Sequence, residues 1–161
     1  MNDEFDYKFE LLKQEMETLQ NGIRTYDSNL FTIKGWAVTI FSTAVYFSIQ
    51  ARQPIYLMLG AMSVLLFWMI DAVFKAVQRI YILRYNKIEQ YLQSPRFAQA
   101  VANHSFKDFI IPDVGSGFHL ATKKYWPAIL QAAISLPTVL LYVAMLVLIA
   151  GLAIGMLIWG P

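Results

Sequence analysis

The sequence predicts an all-α membrane protein, with three transmembrane helices and cytoplasmic amphipathic helices, on three observations. Its 161 residues are 57% hydrophobic with a mean hydropathy of +0.45, too apolar for a soluble domain of this size. Residues 35–51 and 54–74 are apolar apart from Arg52 and Asp71 near their edges, and 125–159 carries no charge at all. Each window approaches or exceeds the roughly 20 residues that cross a hydrocarbon core of about 30 Å. The thirteen Lys and Arg are also placed unevenly: four lie before or at the mouth of the first window, eight between the second and third, and one, Arg52, in the first hairpin turn. The positive-inside rule then predicts a cytoplasmic N-terminus, a cytoplasmic 75–125 segment and a C-terminus outside.

Four divisions follow: an amphipathic helix over 1–29, a transmembrane hairpin over 30–74, a basic helix and loop over 75–125, and a C-terminal transmembrane helix over 126–161. The acidic start, with the first long apolar run beginning only near residue 30, is not the pattern of a signal peptide. The absence of cysteine excludes disulfides and thiolate chemistry.

In the first division Phe5, Phe9, Leu12, Met16, Leu19 and Ile23 recur at steps of three and four, the period of one helical stripe. The net charge through Asp27 is −4, which disfavours an anionic lipid surface and favours docking on protein. Asn21-Gly22 and Asp27-Ser28-Asn29 punctuate the run and allow a kink or turn there.

In the hairpin, Lys34 and Trp36 suit the bilayer interface. Gly35, Thr39, Ser42, Thr43, Tyr46 and Gln50 share one face, a stripe that either packs against another helix or lines a wet pore. Residues 51–54 form a tight turn, with Pro54 suited to the first turn of the next helix. Gly60, Ser63, Phe67, Asp71, Lys75 and Gln78 mark a face of that helix. No proline or glycine interrupts 67–92, so one helix runs from lipid-grade sequence into basic amphipathic sequence. Asp71 and Lys75, four apart, could pair where the solvent changes, and are the candidate coupling residues.

Phe67-Trp68-x-x-Asp71, the run 33–39 (Ile-Lys-Gly-Trp-Ala-Val-Thr) and Gln78-Arg79 with Arg84-x-Asn86 together resemble small membrane proteins of bacterial anti-phage defence loci, the SLATT-like class and the channel subunit of Hailong-type systems. The resemblance covers about residues 20–92. It implies a homo-oligomer in the bacterial inner (plasma) membrane, opened or shut by a nucleotide or single-stranded oligonucleotide, with a companion nucleotidyltransferase or other defence protein. Gln78 departs from the pattern, which leads one to expect an acidic residue before the arginine.

Beyond the membrane, Arg79, Arg84 and Lys87 are interleaved with Tyr81 and Tyr91. Cations alternating with aromatic rings bind phosphates and stack bases. The same residues equally suit a collar for anionic headgroups, or ion-pair partners of the acidic N-terminal helix. Ser94-Pro95 ends that helix, and a short helix is expected within 96–108.

The loop 111–117 holds a Gly-x-Gly without the residues of a phosphate-binding fingerprint. His104 and His119 with Asp108 and Asp113 have no recognised metal-ligand spacing, so no metal and no cofactor is expected. No nucleophile or acid–base constellation stands out, and no enzyme activity is expected.

The last window, 35 residues, would extend about 52 Å as one helix. Pro137 therefore kinks it or divides an interfacial piece from a span. Gly151 and Gly155 form a GxxxG pattern, which serves either packing within one protomer or self-association. The expected function is an oligomeric membrane channel or pore-forming effector that depolarises the membrane. The alternatives are a non-conducting subunit that recruits a soluble enzyme through its acidic helix, and a holin-like lesion former with no signal.

Overall fold

The computed structural model describes residues 3–106 and 126–158. Among them there are five helices and no strand: α1 (Asp3–Ala51), α2 (Ile55–Leu92), α3 (Pro95–Ala102), α4 (Trp126–Ala133) and α5 (Leu136–Ile158). Helices α1, α2 and α5 are long and apolar enough to cross a membrane. The chain folds as two compact units, the described residues 3–27 and 77–106 forming one and 28–76 and 126–158 the other.

In the first unit the stripe expected on the N-terminal helix faces inward. Leu12 and Leu19 of α1 are buried with Ile88 of α2, and Met16, Tyr81, Tyr85 and Leu92 pack around them. Phe5, Phe9 and Phe106 extend this core as rings, Phe5 stacking on Phe106 with centroids 4.9 Å apart. The acidic residues Glu4, Asp6, Glu10 and Glu17 lie on the exposed side. Helix α3 starts at Pro95, whose missing N–H is no loss at a first helical position, and the Ser94 hydroxyl donates to the Tyr91 carbonyl at 2.6 Å.

The turn that residues 21–29 allow does not form, for α1 is continuous through them. Gly22 serves packing instead. A Cβ there would stand 2.7 Å from Cε1 of Tyr81, so only glycine lets that ring lie against the helix. Asp27 likewise turns its carboxylate to α2, where Gln78 Nε2 donates to Oδ1 at 2.6 Å.

In the second unit α1 and α2 form a helical hairpin closed at residues 52–54. Arg52 takes a left-handed φ of 51°, the Ser48 hydroxyl donates to the Gln53 carbonyl at 3.1 Å, and the Pro54 carbonyl accepts from the Leu57 and Met58 amides. The two helices approach closely: a Cβ on Gly60 would lie 2.8 Å from that of Ala44. Ala37, Leu57 and Val64 make the hairpin's share of a core that Tyr142, Met145 and Ile149 of α5 complete. Leu59, Met62, Leu66, Leu140 and Val147 point outward, giving this unit the apolar exterior that lipid requires.

The last window is two helices, separated at residues 134–135, with Pro127 and Pro137 each in a first turn. The break is satisfied locally. The Ser135 hydroxyl donates to the Ala132 carbonyl at 2.7 Å, and Trp68 Nε1 donates to the Ala133 carbonyl at 3.0 Å.

Candidate functional site

The basic outer part of α2 belongs to the first unit, and its residues divide by role. Arg84 is buried. Its Nε donates to Glu15 Oε1 at 2.7 Å and its Nη2 to Oε2 at 3.0 Å, a two-pronged pair in which the arginine side chain is 9% exposed and the glutamate 1%. Of the alternatives weighed for the basic segment, ion pairing with the acidic helix is thus the one Arg84 adopts. Arg79 and Lys87 are exposed, leaving two ammonium or guanidinium heads at the surface.

The tyrosines are occupied by neighbours. Tyr81 lies on Gly22 and is tilted against Tyr26 at 5.4 Å, while Tyr91 meets Phe97 edge-on at 5.9 Å and Phe106 at 6.5 Å. Burial pushes the Tyr26 phenol above its ordinary pKa, and the Tyr81 hydroxyl beside it adds to the effect. The Tyr85 hydroxyl accepts a 3.0 Å bond from Gln20 Nε2. The rings that sequence reasoning offered for base stacking therefore already stack or pack on the unit's own side chains.

The second unit holds a separate polar cluster. Asp71 is fully buried, and the ammonium of Lys34 on the facing helix meets it, Nζ to Oδ1 at 3.2 Å. The other carboxylate oxygen, Oδ2, and the hydroxyl of Tyr142 are both buried without a hydrogen bond in ordinary geometry, and they interact electrostatically with each other. Trp68, one turn before Asp71, stacks on Tyr142 with centroids 6.0 Å apart and planes 8° from parallel. Sequence reasoning singled out Asp71 and missed Lys34 and Tyr142 as its neighbours. A signal for Lys34 was present: it stands eighteen residues before Arg52 and Asp71 nineteen after it, so a hairpin turning there brings the two level. Nothing local marks Tyr142, which arrives from a distant helix.

The polar stripe of α1 lies on the outside of this unit: Gly35, Thr39, Ser42, Thr43, Tyr46 and Gln50 are all exposed. The hydroxyls of Thr39 and Thr43 turn back to their own helix, donating to the carbonyls of Gly35 at 2.9 Å and Thr39 at 2.8 Å. Beside the stripe, Thr43 and Ala44 with Gly60 and Ser63 line an open groove of about 240 Å³. On α5, a Cβ added to Gly151 or Gly155 meets nothing within 4 Å, so the GxxxG face packs on no described residue of the protomer.

Among the described residues no three His, Asp or Glu side chains converge as metal ligands would. His104, at a left-handed φ of 47°, instead lies against the Phe5 ring at 5.3 Å. Asp108, Asp113, His119 and the loop 111–117 lie outside the described residues. Comparison with protein-family models, with curated proteins and with solved structures finds no match to this chain.

Proposed function

We propose that this chain is the subunit of a homo-oligomeric membrane channel, a pore-forming effector of anti-phage defence in the bacterial plasma membrane. The observation that carries the reading is the α1 stripe. A row of hydroxyl, phenol and amide groups left on the exterior of an otherwise apolar unit is poorly matched to lipid, and assembly of several copies would turn it toward a shared aqueous path. The open face at Gly151 and Gly155 supplies a surface on which copies can approach closely. The N-terminus and the basic segment are cytoplasmic in this reading, and the amphipathic part of α1 is a cytoplasmic helix.

A nucleotide or oligonucleotide signal would meet Arg79 and Lys87, the exposed cations of α2, with Arg84, Tyr81 and Tyr91 holding the helix that presents them. Such a ligand gates only through different affinities for the open and closed states.

The chain has no cysteine, so single-cysteine variants report without background. Thr39→Cys, Thr43→Cys and Tyr46→Cys, reconstituted in liposomes, should permit ion flux that a charged thiol reagent blocks. Absence of flux from an assembled oligomer, with and without oligonucleotides, overturns the channel reading. A second reading is favoured by the exposed acidic residues Glu4, Asp6, Glu10 and Glu17. They form a solvated face on which a soluble defence enzyme could be recruited by a non-conducting subunit. Reversing those charges would then abolish co-purification of the partner while liposomes stay tight.

A further inference from the structure

We propose that Asp71 is a proton-binding site, and that its protonation releases Lys34 from the interior of the helical hairpin. The inference is independent of the channel reading and rests on the second unit alone.

The carboxylate of Asp71 is 0% exposed, among apolar side chains, with one oxygen on an ammonium and the other without a hydrogen bond. A buried charge supported on one side only is costly, and an ionisable group at such a position in a membrane helix is ordinarily functional. The groups that face it can be named from each helix packed there: Lys34 from α1, Tyr142 from α5, and on α2 itself Lys75, one turn further on. Trp68 is committed to the Ala133 carbonyl.

The chemistry of Oδ2 decides the ligand. A metal cation needs several converging ligands, and among the described residues no three His, Asp or Glu side chains come together here. A proton needs one acceptor. In the ionised state Oδ2 accepts no hydrogen bond, and the Tyr142 hydroxyl on α5 interacts with the carboxylate. With a proton taken from the aqueous phase, Oδ2 carries the O–H and donates to the Tyr142 oxygen instead. Protonation thus lets Oδ2 of α2 bond to α5, whereas the ion pair between α1 and α2 is lost. Lys34 keeps its own proton, the unit gains one positive charge, and the lysine, already 27% exposed, can extend to the membrane surface.

The test uses the full chain in lipid nanodiscs with aspartate selectively labelled in its carboxyl carbon. Difference infrared spectra recorded between about pH 8 and about pH 4 should contain a protonated-carboxyl band slow to exchange in deuterated water, absent from Asp71→Asn. At constant pH, a water-soluble amine reagent should modify Lys34 about tenfold faster in Asp71→Asn than in the parent, the factor set by losing one charge-assisted bond, with exposed Lys87 as internal reference. Should Asp71→Asn fail to fold by circular dichroism, Tyr142→Phe replaces it: the same band must shift in frequency when its phenol partner is removed. No buried aspartate band in the parent, unchanged Lys34 labelling in a folded Asp71→Asn, or an unshifted band in Tyr142→Phe overturns the proposal.

Discussion

Removing Glu15 should unfold the first unit before it affects anything else. Glu15 and Arg84 are nearly inaccessible and joined by bonds of 2.7 and 3.0 Å, with Leu12, Leu19 and Ile88 as neighbours in the core. Taking away one partner strands a buried charge, a loss of about 3–5 kcal/mol. Replacing both by apolar residues of similar volume removes the charge together with its partner and is expected to be within about 1 kcal/mol of neutral, or favourable. Hydrogen exchange of the full chain in detergent reads this locally. In Glu15→Gln the helical amides of 12–19 and 84–88 should exchange about a hundredfold faster or more, the rate equivalent of that loss when exchange proceeds through opening. In Glu15→Leu combined with Arg84→Met they should return to near the parental rate. Acceleration of less than about fivefold in Glu15→Gln, or a double variant no better protected than the single, would refute the argument that this pair is a coupled interior element.

Gly60→Ala drives a methyl to 2.8 Å from the Ala44 Cβ, a helix-to-helix overlap costing about 1–3 kcal/mol in thermal or denaturant unfolding of the hairpin, and adding Ala44→Gly should restore it. Gly22→Ala sets a 2.7 Å contact with the Tyr81 ring against a helix-propensity gain of about 1 kcal/mol; net destabilisation is expected, and relief by Tyr81→Ala identifies the ring as its cause. Gly151→Leu and Gly155→Leu point into open space, so helicity and melting of the protomer should be unchanged while light scattering in detergent reports a smaller oligomer. Arg52→Gly relieves a left-handed φ and should stabilise the hairpin by about 1 kcal/mol, read as a raised melting midpoint.

What the sequence made legible was whatever depends on period and composition. The stripe from Phe5 to Ile23 and the turn at 51–54 appear in the structure where periodicity and proline chemistry put them, as does the division near Pro137. Punctuation misled at Gly22, because glycine was read as a breaker when its function is to admit a ring from the facing helix. Charge misled at Arg84, whose position between Tyr81 and Ile88 on the inward face foretold burial, just as Glu15 sits among Leu12, Met16 and Leu19. A charged residue inside an apolar stripe asks for a partner inside another, and that pairing is visible only when both stripes are set side by side. Gln78 is of the same kind. It stands where an acidic residue was expected, and beside Asp27 an acid would have met a like charge at 2.6 Å.

The Trp68 indole that donates to the Ala133 carbonyl stands in for a donor the last segment lacks. In an unbroken helix that carbonyl would accept from the amide of residue 137, and Pro137 has none. A backbone carbonyl left open in hydrocarbon is disfavoured by several kcal/mol. Trp68 on α2 thus supplies what Pro137 withholds from its own helix, and the two residues, far apart in sequence, complete one another.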